Sequence, residues 1–112
     1  MKRFGWVIAL KPDRIEEYKR LHAAVWPAVL DQIQRCHIRN YSIYLRKLED
    51  GRHYLFSYFE YTGRDFAGDM AKMAADPTTQ KWWSVCIPCQ SPLPDRAKGA
   101  WWADMEEVFH QD

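Results

Sequence analysis

The segment His53-Tyr54-Leu55-Phe56-Ser57-Tyr58-Phe59-Glu60-Tyr61 constrains the fold more than any other part of this chain. It is rich in aromatic side chains and follows a turn signal, so it reads as a strand. Strand side chains alternate, which sends Tyr54, Phe56 and Tyr58 one way and Leu55, Phe59 and Tyr61 the other. An antiparallel sheet with one wet face shows apolar residues on one side only. Here both sides are apolar, so both must be covered. One helix layer covers one face. The other is a ligand pocket, a second sheet from a partner copy, or both.

The neighbouring segments supply the rest of such a sheet. Residues 3–10 read as a strand with Phe4, Trp6, Ile8 and Leu10 on one face, and Gly5 inside it marks a close approach by a ligand or another backbone. Residues 38–46 read as another, with Tyr41, Ile43 and Leu45 opposite Asn40, Ser42 and Tyr44. The turn signal Glu49-Asp50-Gly51 makes 53–61 its hairpin partner. A helix opens at Lys11-Pro12-Asp13 and ends or kinks at Trp26, because Pro27 pushes the preceding residue out of the α region. A second helix, about 27–36, turns Val29, Leu30 and Ile33 inward. A third, 65–75, turns Phe66, Met70 and Met73 inward, and Thr78 caps a short successor from Thr79 to about Val85. Residues 88–99, with Pro88, Pro92 and Pro94, read as an extended loop, and 101–110 as a last strand.

Strand, helices, strand, strand, helices, strand is the split βαβ order of an α+β, ferredoxin-like subunit. It predicts a four-stranded antiparallel sheet with helices on one face, formed by a single domain over residues 1–112. The uncovered apolar face predicts a homodimer with sheets face to face, a dimeric α/β-barrel assembly.

Charge argues against several function classes. With 16 basic and 15 acidic residues the net charge is +1, so no strong field draws the chain to nucleic acid or membrane. No apolar run approaches the ~20 residues of a membrane-spanning helix. The N-terminal apolar run is too short for a secretory signal, and three cysteines fit a reducing compartment; cytoplasmic is the expectation.

The chemistry centres on Glu16-Glu17-Tyr18-Lys19-Arg20-Leu21-His22-Ala23-Ala24-Val25-Trp26-Pro27. At helical period Ile15, Tyr18, His22 and Val25 form one apolar stripe, and Tyr18, His22 and Trp26 stand four apart, so phenol, imidazole and indole share a surface. Alone, His22 would pass for a satisfied core residue. Its aromatic company makes it a candidate acid or base. Trp82 and Trp83 are adjacent, so one ring enters the core while the other meets a cleft. Flat aromatic walls suit a sugar, haem, flavin or plain core packing. Glu60 and Glu107 lie with apolar neighbours, and each either pairs with His22, binds a substrate hydroxyl or forms a salt bridge. Cys86-Ile87-Pro88-Cys89 follows a helix instead of opening one, and Cys36-His37 does not complete a zinc site with it; no metal is expected.

These residues resemble the L-rhamnose mutarotases. The resemblance rests on Glu17-Tyr18 with His22 and Trp26-Pro27, Asn40-Tyr41-Ser42-Ile43-Tyr44-Leu45, Leu55-Phe56 with Glu60, Gln80-Lys81-Trp82-Trp83, and Glu107-Val108-Phe109, in order along nearly the whole chain. It implies a ferredoxin-like subunit, a dimer, His22 as proton donor, and sugar contacts from Tyr18, Tyr41, Trp82 and Trp83, with Trp26 beside them. It implies an isomerase that opens and recloses a 6-deoxy-L-hexose ring without a cofactor. The stretch from Gln90-Ser91-Pro92-Leu93-Pro94 to Gly99-Ala100-Trp101-Trp102 looks more like related L-fucose mutarotases. The rival readings are a haem- or flavin-dependent monooxygenase and a metabolite-binding module.

Overall fold

The hairpin closes where its turn signal stands. In the computed structural model, which describes residues 1–112, β1 (Lys2–Leu10) is the central strand, and β2 (Ile38–Lys47) and β3 (His53–Tyr61) pair antiparallel across the turn. Gly51 sits at φ 79°, a left-handed conformation that a side chain disfavours. β3 then pairs with β1 along its whole length, from Lys2↔Tyr61 to Leu10↔His53.

The other edge of β1 carries a divided fourth strand. β4 (Gln90–Ser91) pairs with Leu10 and Ala9, and β5 (Ala103–Met105) pairs with Val7, Trp6 and Gly5. Residues 92–102 leave the edge between them. The strand expected over 101–110 therefore shortens to three residues, and the loop expected over 88–99 contains a strand pair. Pro92 and Pro94 have no N–H to give β1, so the ladder cannot run through them. The sheet order β2-β3-β1-β4 is that of the ferredoxin-like fold. Gly5 meets the Met105 side chain, whose Cε lies 3.2 Å from where a Cβ would stand.

The helices depart from the sequence reading at their ends. A 3-10 turn over Pro12–Arg14 leads into α1 (Ile15–Ala23), which stops three residues before Trp26. The N–H of Ala24 bonds back to the carbonyl of Leu21 and tightens the last turn. Val25 and Trp26 thus leave the helical stripe. Trp26 is extended, at φ −61° and ψ 133°, as its proline requires, and α2 (Pro27–Arg35) follows. Val29 is buried, but Leu30 is 53% exposed, because adjacent helical positions diverge by about 100° and the sheet receives the Val29–Ile33 side. α3 (Phe66–Ala75) is capped by Asp65, and α4 (Pro77–Cys86) by Asp76, not by Thr78. The Asp76 carboxylate accepts from the backbone N–H and the hydroxyl of Thr79, at 2.9 and 2.8 Å, with Pro77 at the first helical position.

Directly opposed residues of an antiparallel pair share a face, which sorts the sheet. Phe4, Trp6, Ile8, Leu10, Leu55, Ser57 and Phe59 face the helices, and the last three are buried. Val7, Tyr54, Phe56, Tyr58 and Tyr44 face away. Tyr44 is 67% exposed, so within one chain this second face is uncovered. A one-residue bulge between Arg39 and Ser42, with Asn40 at φ 50°, shifts the alternation of β2. It lets both Ile38 and Tyr41 face the helices. Two apolar clusters result. One holds Ile8, Leu10, Tyr18, Val29, Leu55, Trp82 and Cys86; the other holds Ile38, Phe59 and Tyr61 with Phe4, Trp6, Met70 and Met73 against them. No helix is long and apolar enough to cross a membrane.

Candidate active site

A cavity of about 490 Å³ lies between the helix-facing side of the sheet and α1, α2, α3 and α4. Tyr18, His22, Tyr41, Trp82 and Trp83 all line it, and none of its wall residues is a carboxylate. The i, i+4 spacing on α1 stacks the His22 ring on that of Tyr18, with centroids 4.1 Å apart and planes 23° from parallel. Trp82 meets His22 edge-on at 5.2 Å.

One nitrogen of His22 is committed. Nδ1 lies 2.9 Å from the carbonyl oxygen of Tyr18. A carbonyl only accepts, so Nδ1 carries the hydrogen and donates it. In the neutral ring Nε2 then holds the lone pair, and no group of the chain bonds to it. Burial lowers the His22 pKa beneath its ordinary 6.5, partly offset by the bond to the Tyr18 carbonyl. The imidazole is neutral at pH 7.

Tyr18 is fixed by Gln90, which Trp101 orients in turn. The indole Nε1–H of Trp101 donates to Oε1 of Gln90 at 2.8 Å. An indole N–H cannot accept, so this bond orients the Gln90 amide, and its Nε2–H donates to the Tyr18 hydroxyl at 3.3 Å. The phenol is thereby an acceptor on one side, and its own O–H is free for the cavity. Burial pushes the Tyr18 pKa well above the ordinary phenol range, so the proton stays on. Tyr41 is 43% exposed as a residue, and desolvation where it lines the cavity raises its pKa to about 12. His22 is the group near the cavity whose titration lies closest to neutrality.

Gln90, Trp101, Trp102 and Ile38 line the cavity and were not among the residues the sequence singled out as site candidates. Trp101-Trp102 offered a signal in being a second indole pair. Gln90 offered none, and Ile38 was hidden by the bulge. Trp26 is not in the cavity wall. The early end of α1 swings it behind Trp82, which it meets edge-on at 5.2 Å. Trp82 is the more buried of its pair, and both rings reach the cavity.

Glu60 and Glu107 are not brought to His22. Glu60 belongs to the sheet face turned away from the helices, where its carboxylate accepts from Tyr58 and Asn40, each at 2.7 Å, and these bonds hold its pKa below the usual range. Glu107 pairs with Arg3 at 2.9 Å. Strand alternation explains the separation, since Glu60 follows Tyr54, Phe56 and Tyr58 by steps of two. Cys86 lines the cavity with its thiol pushed up to about 12 by burial, and Cys89 is buried beside Glu17.

Comparison with known proteins gives concordant matches. The family model described as L-rhamnose mutarotase matches residues 3–111. Proteins named L-rhamnose mutarotase from Oceanobacillus iheyensis and Bacillus subtilis are each 32% identical over 112 residues, with both chains covered completely. One from Listeria monocytogenes is 32% identical over 110 residues, 98% of either chain. The crystal structure of an L-rhamnose mutarotase from Formosa agariphila shares the fold, with a TM-score of 0.75, full coverage of both chains and 20% identity.

Proposed function

This chain belongs to the L-rhamnose mutarotase family, and from that premise we propose that it interconverts the α and β anomers of L-rhamnose. The observation that carries this is the neutral His22, tied at Nδ1 and unpartnered at Nε2, in an aromatic cavity without a carboxylate. Ring opening moves one proton from the anomeric hydroxyl to the ring oxygen. The bond from the anomeric carbon to the ring oxygen breaks, its electron pair goes to that oxygen, and a carbonyl forms. Rotation and the reverse steps close the ring on the other face. No electron or proton is gained or lost, so the reaction calls for no redox group.

His22 carries that proton. Nε2 takes it from the anomeric hydroxyl, and the imidazolium gives it to the ring oxygen, which is the donor role the family resemblance implies. Positioned acid–base help of this kind is worth ~10²–10⁴-fold. Tyr18 donates its free O–H to a sugar oxygen. Tyr41, Trp82 and Trp83 cover the apolar faces of the ring and its methyl group.

Saturation-transfer NMR between anomers tests this. Faster exchange of L-rhamnose with protein than without it is expected. No acceleration would overturn the reading, and faster exchange of L-fucose than of L-rhamnose would change the substrate.

The assembly is a homodimer in the cytoplasm. Its interface is the open sheet face, supported by the exposed Tyr44 and Met105 there, with Val108 and Phe109 exposed on the tail beside it. Three unpaired cysteines suit a reducing compartment. Sedimentation at a two-chain mass is expected; a one-chain mass would remove the dimer.

A further inference from the structure

The cavity exceeds the needs of the sugar proposed for it, and its two ends differ in chemistry. An apolar cavity of ~150 Å³ holds a benzene ring, with six heavy atoms. On that scale a 6-deoxyhexose, with eleven, needs about 300 Å³. The cavity offers about 490 Å³. Room for another small apolar group is left over.

The location of that room follows from the two clusters. Tyr18, His22, Gln90 and Trp101, which supply the hydrogen-bonding groups, lie with the first cluster. Ile38, Phe59, Met70 and Met73, which also line the cavity, belong to the second or pack against it. Ile33 packs against both clusters and marks the boundary. The Thr79 hydroxyl, also in the wall, is already committed to Asp76. Ile38, Phe59, Met70 and Met73, the wall of this annex, carry no side-chain donor for a carbonyl or charged group. Trp6 lines the cavity, but its indole N–H is itself fully buried and is closed to a ligand there. Methionine side chains are unbranched and adapt to what lies against them.

We propose that the substrate class extends to reducing 6-deoxy-L-hexoses carrying an apolar ether group on a hydroxyl away from the anomeric carbon, seated between Ile38, Met70 and Met73. An ether oxygen brings no donor that needs a partner, which suits the apolar wall. A free hydroxyl in the same place would leave its own hydrogen unsatisfied. This rests on the anomer-exchange reading of the His22 end.

The test is anomer exchange by saturation transfer on L-rhamnose and on its 2-, 3- and 4-O-methyl and O-benzyl ethers, in one protein preparation. At least one ether is expected to show a KM lower than that of L-rhamnose by about fourfold for each added carbon that is buried, the fold-change equivalent to ~0.8 kcal/mol per CH₂. Met70→Trp, which fills the annex, is expected to cost that ether ~10-fold or more while L-rhamnose changes by less than about twofold. If no ether shows a KM below that of L-rhamnose, the annex is not a binding site. Equal slowing of both sugars in Met70→Trp would overturn it too. Should that variant not fold, the wild-type ether series decides alone. Failure of the parent reading looks different: L-rhamnose itself is not accelerated. If an ether then is, the annex stands and the unsubstituted substrate falls.

Discussion

Two histidines in this chain are held at Nδ1, and the nature of the acceptor separates what they can do. His22 donates to the carbonyl oxygen of Tyr18 at 2.9 Å. His37 lies 3.0 Å from Oδ2 of Asp69, a carboxylate that also accepts the Tyr61 hydroxyl and is itself buried. A carbonyl fixes ring orientation and tautomer without supplying a charge to stabilise the imidazolium. A carboxylate supplies that charge and makes the pair a structural tie. The first arrangement leaves a neutral ring in a cavity wall with its second nitrogen uncommitted. The second fastens the turn between α2 and β2 to α3.

The largest effect comes from removing the first ring. His22→Ala is expected to lower anomer exchange by ~10²–10⁴-fold and to keep the fold, as near-native melting would show. Exchange at the wild-type rate would take His22 out of the reaction. The pH profile sharpens the same point. Burial lowers the His22 pKa beneath 6.5, so the proton-accepting form prevails at pH 7. kcat/KM is expected to be flat through neutrality and to fall only on acidification through that lowered pKa. Stability moves in the same direction. The unfolded chain binds the proton more readily, so this histidine's contribution is complete above about pH 6.5 and declines as pH drops below it. An acid limb that begins above 6.5 would mean that a charge supports His22 after all.

Gln90 tests whether the platform under His22 matters. Gln90→Leu leaves the Tyr18 hydroxyl and the Trp101 N–H without their partner. Loss of one oriented donor in a dry site costs ~10-fold or more, and kcat is expected to fall more than KM rises. Gln90→Glu, which keeps an acceptor for Trp101 but no donor for Tyr18, separates the two bonds. If it restores the wild-type rate, the Tyr18 bond is irrelevant.

How far these features were legible in the sequence depends on how local they are. The Tyr18–His22 stack needs only a helix, and i, i+4 spacing gives it away. The strand order needs only alternation and turn residues. The bulge at Asn40 is different: one left-handed residue inverts the alternation of β2, and although an asparagine tolerates that conformation, alternation alone does not place a bulge there. The division of the fourth strand is hidden for a similar reason, because β4 and β5 are too short to show a period and are aligned only by β1. The side of the sheet on which Glu60 stands was legible. Which side the helices cover was not, since both sides of β3 are aromatic.

His37→Asn breaks the second tie while keeping a residue that tolerates the φ of 66° found there. Its expected effect is on stability alone: Tm lower by about 5 °C, anomer exchange unchanged. The Tyr61 hydroxyl, ahead of His37, holds the Asp69 carboxyl below its ordinary 3.8, so the stability it contributes is present above about pH 4 and is lost as pH falls through the lowered pKa. A change in exchange rate without a change in Tm would show that this histidine, too, reaches the reaction.

The smallest effects should come from the carboxylates that His22 lacks. Glu60→Gln keeps an acceptor for Asn40 or Tyr58 on the open face, and Glu107→Gln weakens an exposed pair with Arg3. Each is a surface change, expected to leave Tm unchanged and to alter exchange by no more than about twofold. The sheet stands between these carboxylates and the cavity, and a proton passed to His22 would have to cross it. A tenfold loss in either variant would break the comparison of the two imidazoles, because His22 would then have an acidic partner. The one route left for such a partner is from a second copy docked on the open face. The same substitution made in a protein held monomeric would then have no effect, which distinguishes a partner's carboxylate from one acting within its own chain.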